Sequence, residues 1–458
     1  MAETFDAIVV GAGQAGPSLA VRLAGAGRKV ALIERRLLGG TCVNTGCTPT
    51  KALVASAYAA HVARRAADYG VKAGPVIADF AAVMARMDGI VAKSRSGLEK
   101  WLGSTRNLTV IYGAAQFAGP KALRVNGRVL RAGQIFLNVG ASAHIPDLPG
   151  VKSVPFLTYS SLLELKELPE HLVVVGGGAV GLEFAQVFRR LGSQVTIVER
   201  YPRLASGEDE DVSKTVEEIF VAEGIAIRTS AACIHLEKTG EGIRVGLDCD
   251  TDARHVDGSH ALLAVGRKPN TAELNLAAAG VEVDKEGYIR VDDQLRTTAP
   301  WIFALGDCNG HGGFTHTSYN DYEIVAENLL DGAARRVTDR IRTYATFLDP
   351  PMARAGMSES EVRKSGRPAL VGFRPMARVS RANEKGETTG FMKVLVDKET
   401  EQILGATVFG VGGDEAVHCI LTCMYAKQPA SLLRHSVHIH PTVAELIPTV
   451  FGELKALG

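Results

Sequence analysis

Residues 6–34 read DAIVVGAGQAGPSLAVRLAGAGRKVALIE, and residues 172–199 read LVVVGGGAVGLEFAQVFRRLGSQVTIVE. Each is an apolar strand, a G-x-G-x-x-G turn, a helix, a short glycine turn, a second apolar strand and a closing glutamate. Glu34 follows Gly11 at the spacing at which Glu199 follows Gly176. Gly11 and Gly176 permit a tight turn. Gly13 and Gly178 let a pyrophosphate approach the backbone, and Gly16 and Gly181 let the helix pack closely on the strand. The helix N-terminus presents free N–H groups and the positive end of its dipole to phosphate. The closing acid can accept hydrogen bonds from a ribose diol. One such turn carries little weight, but two complete units with matching acids define two dinucleotide sites in one α/β chain. Two dinucleotides suggest an electron relay, with FAD in the first site and NAD(P)H in the second.

Between the two units lies LLGGTCVNTGCTPTKALVASAYAAHVARRA, residues 37–66. Cys42 and Cys47 sit in a glycine-bounded turn at the mouth of an alanine-rich amphipathic run. Thr48-Pro49 suits a helix N-cap and first helical position, which places Cys47 just outside a helix N-terminus. The dipole there favours a thiolate. The short spacer, with Gly46, can bring the sulfurs into bonding range if the turn is distorted. Such a dithiol can take up two electrons and pass them on by thiolate exchange. The bland reading is two buried cysteines without a redox role. Zinc would need two further ligands, and none is evident nearby.

Further segments fit this frame. IFLNVGASAHIPDLPG, residues 135–150, is a strand ending in a glycine turn and a proline-bounded exit. WIFALGDCNG, residues 301–310, ends in Gly306-Asp307, where an acid beside a glycine can hydrogen-bond a ribityl hydroxyl. LLAVGRKPNT, residues 262–271, is the return from the inserted second unit. From about Arg340 the texture changes. Residues 390–410 alternate as antiparallel strands around a turn at 397–400, and helical patterns follow at 414–426 and 442–451. These patterns divide the chain into a first FAD-binding part at 1–152, an NAD(P)-binding domain at 153–268, a second FAD/central part at 269–338 and an α+β domain at 339–458.

The chain has 458 residues, 46% of them hydrophobic, and Lys+Arg 51 against Asp+Glu 50. That balance shows no footprint for nucleic acid or an anionic membrane. No apolar run approaches a membrane span, and the N-terminus reads as a buried strand rather than a signal peptide. A cytoplasmic protein is expected. The seven cysteines are odd in number and mostly scattered, which does not suggest an extracellular disulfide framework.

GGTCVNTGCTPTK at 39–51, both dinucleotide motifs, ALGDCNG at 304–310 and HIHPTVAE at 438–445 together resemble the class I pyridine nucleotide-disulfide oxidoreductases. That family includes lipoamide dehydrogenase, glutathione reductase and mercuric reductase, and the resemblance spans essentially the whole chain. It implies a glutathione reductase-like fold: two Rossmann-like domains for FAD and NAD(P), and a C-terminal α+β dimerisation domain forming a homodimer. By the same resemblance Cys42 matches the interchange thiol that meets the substrate, and Cys47 the charge-transfer thiol against the flavin. Lys51 matches the lysine near the flavin, and Glu183 the acid paired with it. Gly40, Thr41, Gly140 and Gly266 join the cofactor-binding glycines and acids. His440, with Glu445 downstream to orient its ring, matches the acid/base contributed by the partner subunit. Pro441 can open a helix that carries Glu445 one turn in. His435 and His438 read as surface or packing residues, and Cys419 and Cys423, one turn apart, as core.

Residues 347–366 and 385–406 resemble the branch of mercuric-reductase-like flavoproteins and reactive-chlorine-stress copper reductases. The C-terminal segment PTVFGELKALG lacks the paired cysteines of mercuric reductase, and no N-terminal metal-capturing Cys pair is present, which argues against mercuric ion as substrate. The expected acceptor is a small-molecule disulfide or a thiol-bound metal ion, with no resident metal. Glu199 favours NADH, while Arg200 and Arg203 leave NADPH as the alternative. Two other functions stay open: direct flavin reduction of quinones or oxygen, and a redox sensor without turnover.

Overall fold

The structure, a computed structural model, describes residues 3–240, 242–248 and 254–458, so Cys249 lies outside the described residues. The chain divides into two compact units. The first comprises Met1–Ala52, Met84–His144 and Gly266–Arg340; the second comprises Leu53–Val83, Ile145–Val265 and Ile341–Gly458.

In the first unit the strand Glu3–Val10 is apolar and buried without a break from Ala7 to Val10, as a stretch covered on both faces must be. It pairs in parallel with Val30–Glu34 on one side and Arg128–Leu137 on the other, and Leu108–Tyr112 extends the sheet beyond Val30–Glu34. Ile302–Ala304 adds in parallel to Arg128–Leu137, with Ile302 opposite Ile135. The alternation of strand side chains then builds two cores. Ile8, Val10, Ile33 and Ile135 point to one, while Ala7, Val9, Leu32 and Phe136 meet Leu19 and Leu23 of helix Ala15–Gly25 in the other.

The second unit repeats the pattern. Ala226–Arg228, Gln194–Val198, His171–Val175 and His260–Leu263 form a parallel sheet in that order. Helix Ala179–Leu191 follows the second glycine turn and buries Leu182, Phe184, Val187 and Phe188. A separate antiparallel sheet within this unit holds Thr343–Thr346, Met352–Gly356, Ile403–Phe409, Phe391–Asp397 and Ala369–Pro375, edged by Lys455–Ala456. Helix Gly413–Tyr425 covers it. Cys423 is buried in that core, with Cys419 half-buried against it.

Two local expectations are corrected. Helix Cys47–Arg64 begins at Cys47 itself, so Thr48 is not its N-cap and Pro49 stands third. The first turn of a helix has no N–H partners to lose, and proline is tolerated throughout it. Pro441 opens no helix. Glu445 sits in the short 3-10 turn Ala444–Leu446, and the α-helix Ile447–Gly452 starts only after it.

Candidate active site

The two glycine turns share one construction. Gly11 has φ +100° and Gly176 φ +114°, the left-handed region that glycine enters freely. A Cβ on Gly16 would lie 2.1 Å from the Gly11 carbonyl oxygen, and a Cβ on Gly181 would lie 2.1 Å from that of Gly176. Glu34 accepts hydrogen bonds from Ala12 N (2.8 Å) and Arg36 N (2.7 Å). Glu199 accepts from the corresponding Gly177 N (2.6 Å) and Tyr201 N (2.9 Å). Each acid is buried and held at the edge of its turn, and its oxygens keep further lone pairs for a diol.

The thiols belong to the first turn's surroundings. Cys42 lies in the short helix Gly40–Asn44, and Gly40, at φ +59°, packs so closely on Gly13 that a Cβ would meet the Gly13 Cα at 2.8 Å. Both cysteines are free thiols. They are hydrogen-bonded to each other, and this splits their acidities. Cys47 is lowered to about 6: the Cys42 thiol donates to it, Thr315 adds its hydroxyl at 3.3 Å and Lys51 its charge, all against the cost of burial. Cys42 is pushed well above the ordinary thiol range by its hydrogen bond to Cys47 and by burial. One sulfur is therefore a thiolate at neutral pH and the other keeps its proton.

Thr315 opens the helix Thr315–Leu330, far along the chain from the cysteines. Replacing it by valine removes a donor to an anion, worth about 1.5–3 kcal/mol. The Cys47 midpoint is expected to rise by about one to two pH units. In the wild-type reduced holoenzyme the thiolate absorbance should vanish as pH falls through about 6. An unchanged midpoint in Thr315→Val would show that the hydroxyl does not support the thiolate.

Asp307 follows Gly306, whose φ is +71° and whose N–H is held by the buried Asp321 carboxylate at 2.8 Å. Burial pushes the Asp307 carboxyl above its usual range, although the Arg267 guanidinium bonds it at 2.6 Å. Arg267 also reaches Ala141 O and, at 3.5 Å, the Thr41 hydroxyl. Gly140, at φ +65°, and Gly266, at φ +111°, lead into the paired strands Ala141–Ala143 and Arg267–Pro269. Asn138 locks the first turn from below, accepting from Gly16 N at 3.0 Å and donating to Leu305 O at 3.1 Å. Thr315, Arg267 and Asn138 were not singled out from the sequence. Arg267 had a visible signal, a cation directly after Gly266. The other two had none.

Elsewhere, His440 Nδ1 lies 2.7 Å from Glu445 Oε2, with the imidazole 72% exposed and the glutamate side chain only 8%. The carboxylate accepts a hydrogen bond from Nδ1–H, and Nε2 is turned toward solvent. Val437 is 99% exposed and Ile439 79%, on either side of His438. His438 itself bonds Ala444 O at 2.7 Å and lies 3.9 Å from Cys419 Sγ. Glu183 is buried on helix Ala179–Leu191 and accepts from Phe347 N at 2.9 Å. His435 is exposed at the end of helix Ala430–His435. Among the described residues no group of three or more His, Cys, Asp or Glu is placed to hold a metal, and no helix is long and apolar enough to cross a membrane.

Two Rossmann-like turns and an asymmetric dithiol define a flavoprotein disulfide oxidoreductase. The chain belongs to the pyridine nucleotide-disulphide oxidoreductases, matching that family over residues 5–322 and its dimerisation domain over residues 343–451. It is 36% identical over 466 residues to the probable pyridine nucleotide-disulfide oxidoreductase RclA of Escherichia coli strain K12, covering 98% of this chain and 99% of that one. It is 34% identical to a mercuric reductase of Streptomyces lividans, covering 97% and 94%. A dihydrolipoyl dehydrogenase of Thermus scotoductus is 33% identical, covering 97% and 96%. The solved Cu(II) complex of the HOCl-induced flavoprotein disulfide reductase RclA from E. coli superimposes with a TM-score of 0.90 at 34% identity, covering 99% of each chain. The α/β fold with its dimerisation domain, the use of FAD and NAD(P)H, and disulfide oxidoreductase chemistry follow from this membership.

Proposed function

We propose that the protein passes two electrons from NADH, through bound FAD and the Cys42–Cys47 dithiol, to a disulfide or a thiol-bound metal ion. The observation that supports this most is the split between the two thiols. FAD suits the first site on space and donors: glycines where a Cβ would strike backbone, the buried Glu34 for a ribose diol and Asp307 for a ribityl hydroxyl. When bound, it supplies a two-electron carrier between the nicotinamide and the dithiol.

The Cys42 thiolate attacks one sulfur of the acceptor disulfide, a Cys42–substrate bond forms and the first thiol leaves. The Cys47 thiolate then attacks the Cys42 sulfur, closes the Cys42–Cys47 disulfide and releases the second thiol. Cys42 needs a base to lose its proton, and the leaving thiolate needs an acid. His440, ring-oriented by Glu445, serves both. We place His440 on the partner subunit's side of the active site. The exposed apolar Val437 and Ile439 beside it suit a surface covered by a second copy. The Cu(II) complex of RclA makes copper the first metal acceptor to try.

Anaerobic titration with NADH tests the path. A long-wavelength band at two electrons, absent in Cys47→Ser, is the expected result. Direct bleaching without that band would take the cysteines out of the circuit.

NADH is the nucleotide we infer for the second site. The buried Glu199 carboxylate would face a 2′-phosphate. Arg203 is turned onto Glu208 O at 2.9 Å, and Arg200 lies over the Tyr201 ring at 4.5 Å from its centroid. Like charges at a contact cost several kcal/mol, so kcat/KM for NADH should exceed that for NADPH by roughly 10²-fold. Glu199→Ala should narrow the ratio. Equal use of both nucleotides by the wild type would refute the inference.

A further inference from the structure

We propose that a buried cluster of charges, Arg354 and Lys393 against Glu208 and Asp209, sets the loop that receives the adenosine ribose of the pyridine nucleotide. Arg354 is then a positioning residue for nucleotide binding. The proposal rests on reading the second glycine turn as the NAD(P)H site.

The loop runs over residues 199–209, from the acid that ends the second strand to the start of helix Glu210–Ala222. Its near half is pinned to the glycine turn. Ala205 N donates to Gly177 O at 2.9 Å, Gly177 N donates to Glu199 at 2.6 Å, and the fully buried Leu204 fills the space where a Gly177 Cβ would stand. Ala205 holds φ +47°, an unfavourable angle for alanine that needs outside support. Between these anchors Arg200, Tyr201 and Pro202 are exposed.

The far half ends in the cluster. Glu208 takes Arg354 Nη2 at 2.7 Å and Nε at 3.1 Å on one oxygen and the Tyr344 hydroxyl at 2.6 Å on the other. Asp209 accepts from Glu359 N at 3.0 Å and Ser360 N at 3.1 Å. It also pairs with Arg354 at 3.2 Å and Lys393 at 3.3 Å. Burial opposes its charge, yet these N–H groups and cations hold the carboxyl below its usual range. Lys393 reaches Asp211 at 2.6 Å and Glu359 at 3.0 Å as well. The Arg354 side chain is 0% exposed and that of Lys393 3%.

Desolvated ion pairs of this kind add little net stability, because the cost of burying the charges offsets their attraction. What they supply is one geometry. The planar Arg354 fork fixes two N–H directions at Glu208, which apolar residues of equal volume would not do. Arg354 stands in strand Met352–Gly356 and Lys393 in Phe391–Asp397, so the ordered sheet of the dimerisation domain supports the ribose loop.

The test compares nucleotide and acceptor constants in the full-length holoenzyme. Glu208→Gln and Tyr344→Phe keep the packing and carry the test if Arg354→Met does not fold. KM for NADH and Kd for ADP-ribose, measured by calorimetry, should rise together by about tenfold in Glu208→Gln and about threefold in Tyr344→Phe. KM for 5,5′-dithiobis(2-nitrobenzoate) and kcat should stay within about twofold. Arg354→Lys should recover part of what Arg354→Met loses. A fall in Tm with both nucleotide constants unchanged would overturn the proposal and leave the cluster purely structural. If the wild type itself fails to bind ADP-ribose, the nucleotide reading falls and takes this proposal with it.

Discussion

Replacing Cys42 by serine is expected to leave the protein yellow and reducible by NADH, while disulfide turnover falls by on the order of 10⁴-fold or more. In the proposed relay the two sulfurs act as a unit. Without Cys42 no mixed disulfide forms, and Cys47 has no neighbouring sulfur on which to close. The Cys42 hydrogen bond is the largest cause of the lowered Cys47 pKa, and serine keeps a donor there, so part of that lowering should survive. Cys47→Ser should be as inactive for a different reason, since its mixed disulfide cannot resolve. Stopped-flow reduction by NADH and steady-state turnover separate the two half-reactions. Near-normal turnover in Cys42→Ser would mean that acceptors such as quinones or oxygen draw electrons from the flavin directly, and the relay would have to be abandoned.

His440→Ala should cost about 10²–10⁴-fold in turnover, the usual range for loss of a general acid/base. Nicotinamide binding and the reductive half-reaction should be untouched. The loss should be largest where a protonated Cys42 must be activated. Cys42 is pushed above the ordinary thiol range, so without His440 the rate should climb with pH as hydroxide replaces the missing base. Glu445→Gln should lose less. A glutamine can still accept a hydrogen bond from Nδ1–H and orient the ring, but it carries no charge to stabilise an imidazolium. A flat pH profile and unaltered rate in His440→Ala would remove this histidine from the proposed chemistry.

Much of this architecture could be read from the chain because it is local. Each Rossmann-like unit closes within about thirty residues, and strand, turn, helix and acid announce themselves by period and glycine spacing. The dithiol and the His440–Glu445 pair are also short-range. The rest depends on long-range contacts, which leave no local pattern. Thr315 meets Cys47 across 268 positions, and Asn138 meets Gly16 across 122. Neither has a spacing that could signal it. Arg354 and Lys393 sit in strands whose pattern reads simply as apolar, and their partners are helix-start acids 145 and 182 residues away. The helix boundaries failed for a smaller reason. Proline marks where a helix can begin more loosely than where it cannot continue, so the sequence pattern sets Cys47 outside its helix and Glu445 inside one, and the structure reverses both.

The collision at Gly16 is the collision at Gly181, to the same tenth of an ångström, yet the two errors would not look alike on the bench. An alanine at Gly16 strikes the turn assigned to FAD and should yield a colourless preparation. The same alanine at Gly181 strikes the turn assigned to the nicotinamide nucleotide and should yield a yellow preparation that NADH cannot bleach. The duplicated turn thus gives the protein two separable ways to fail, told apart by eye before any rate is measured.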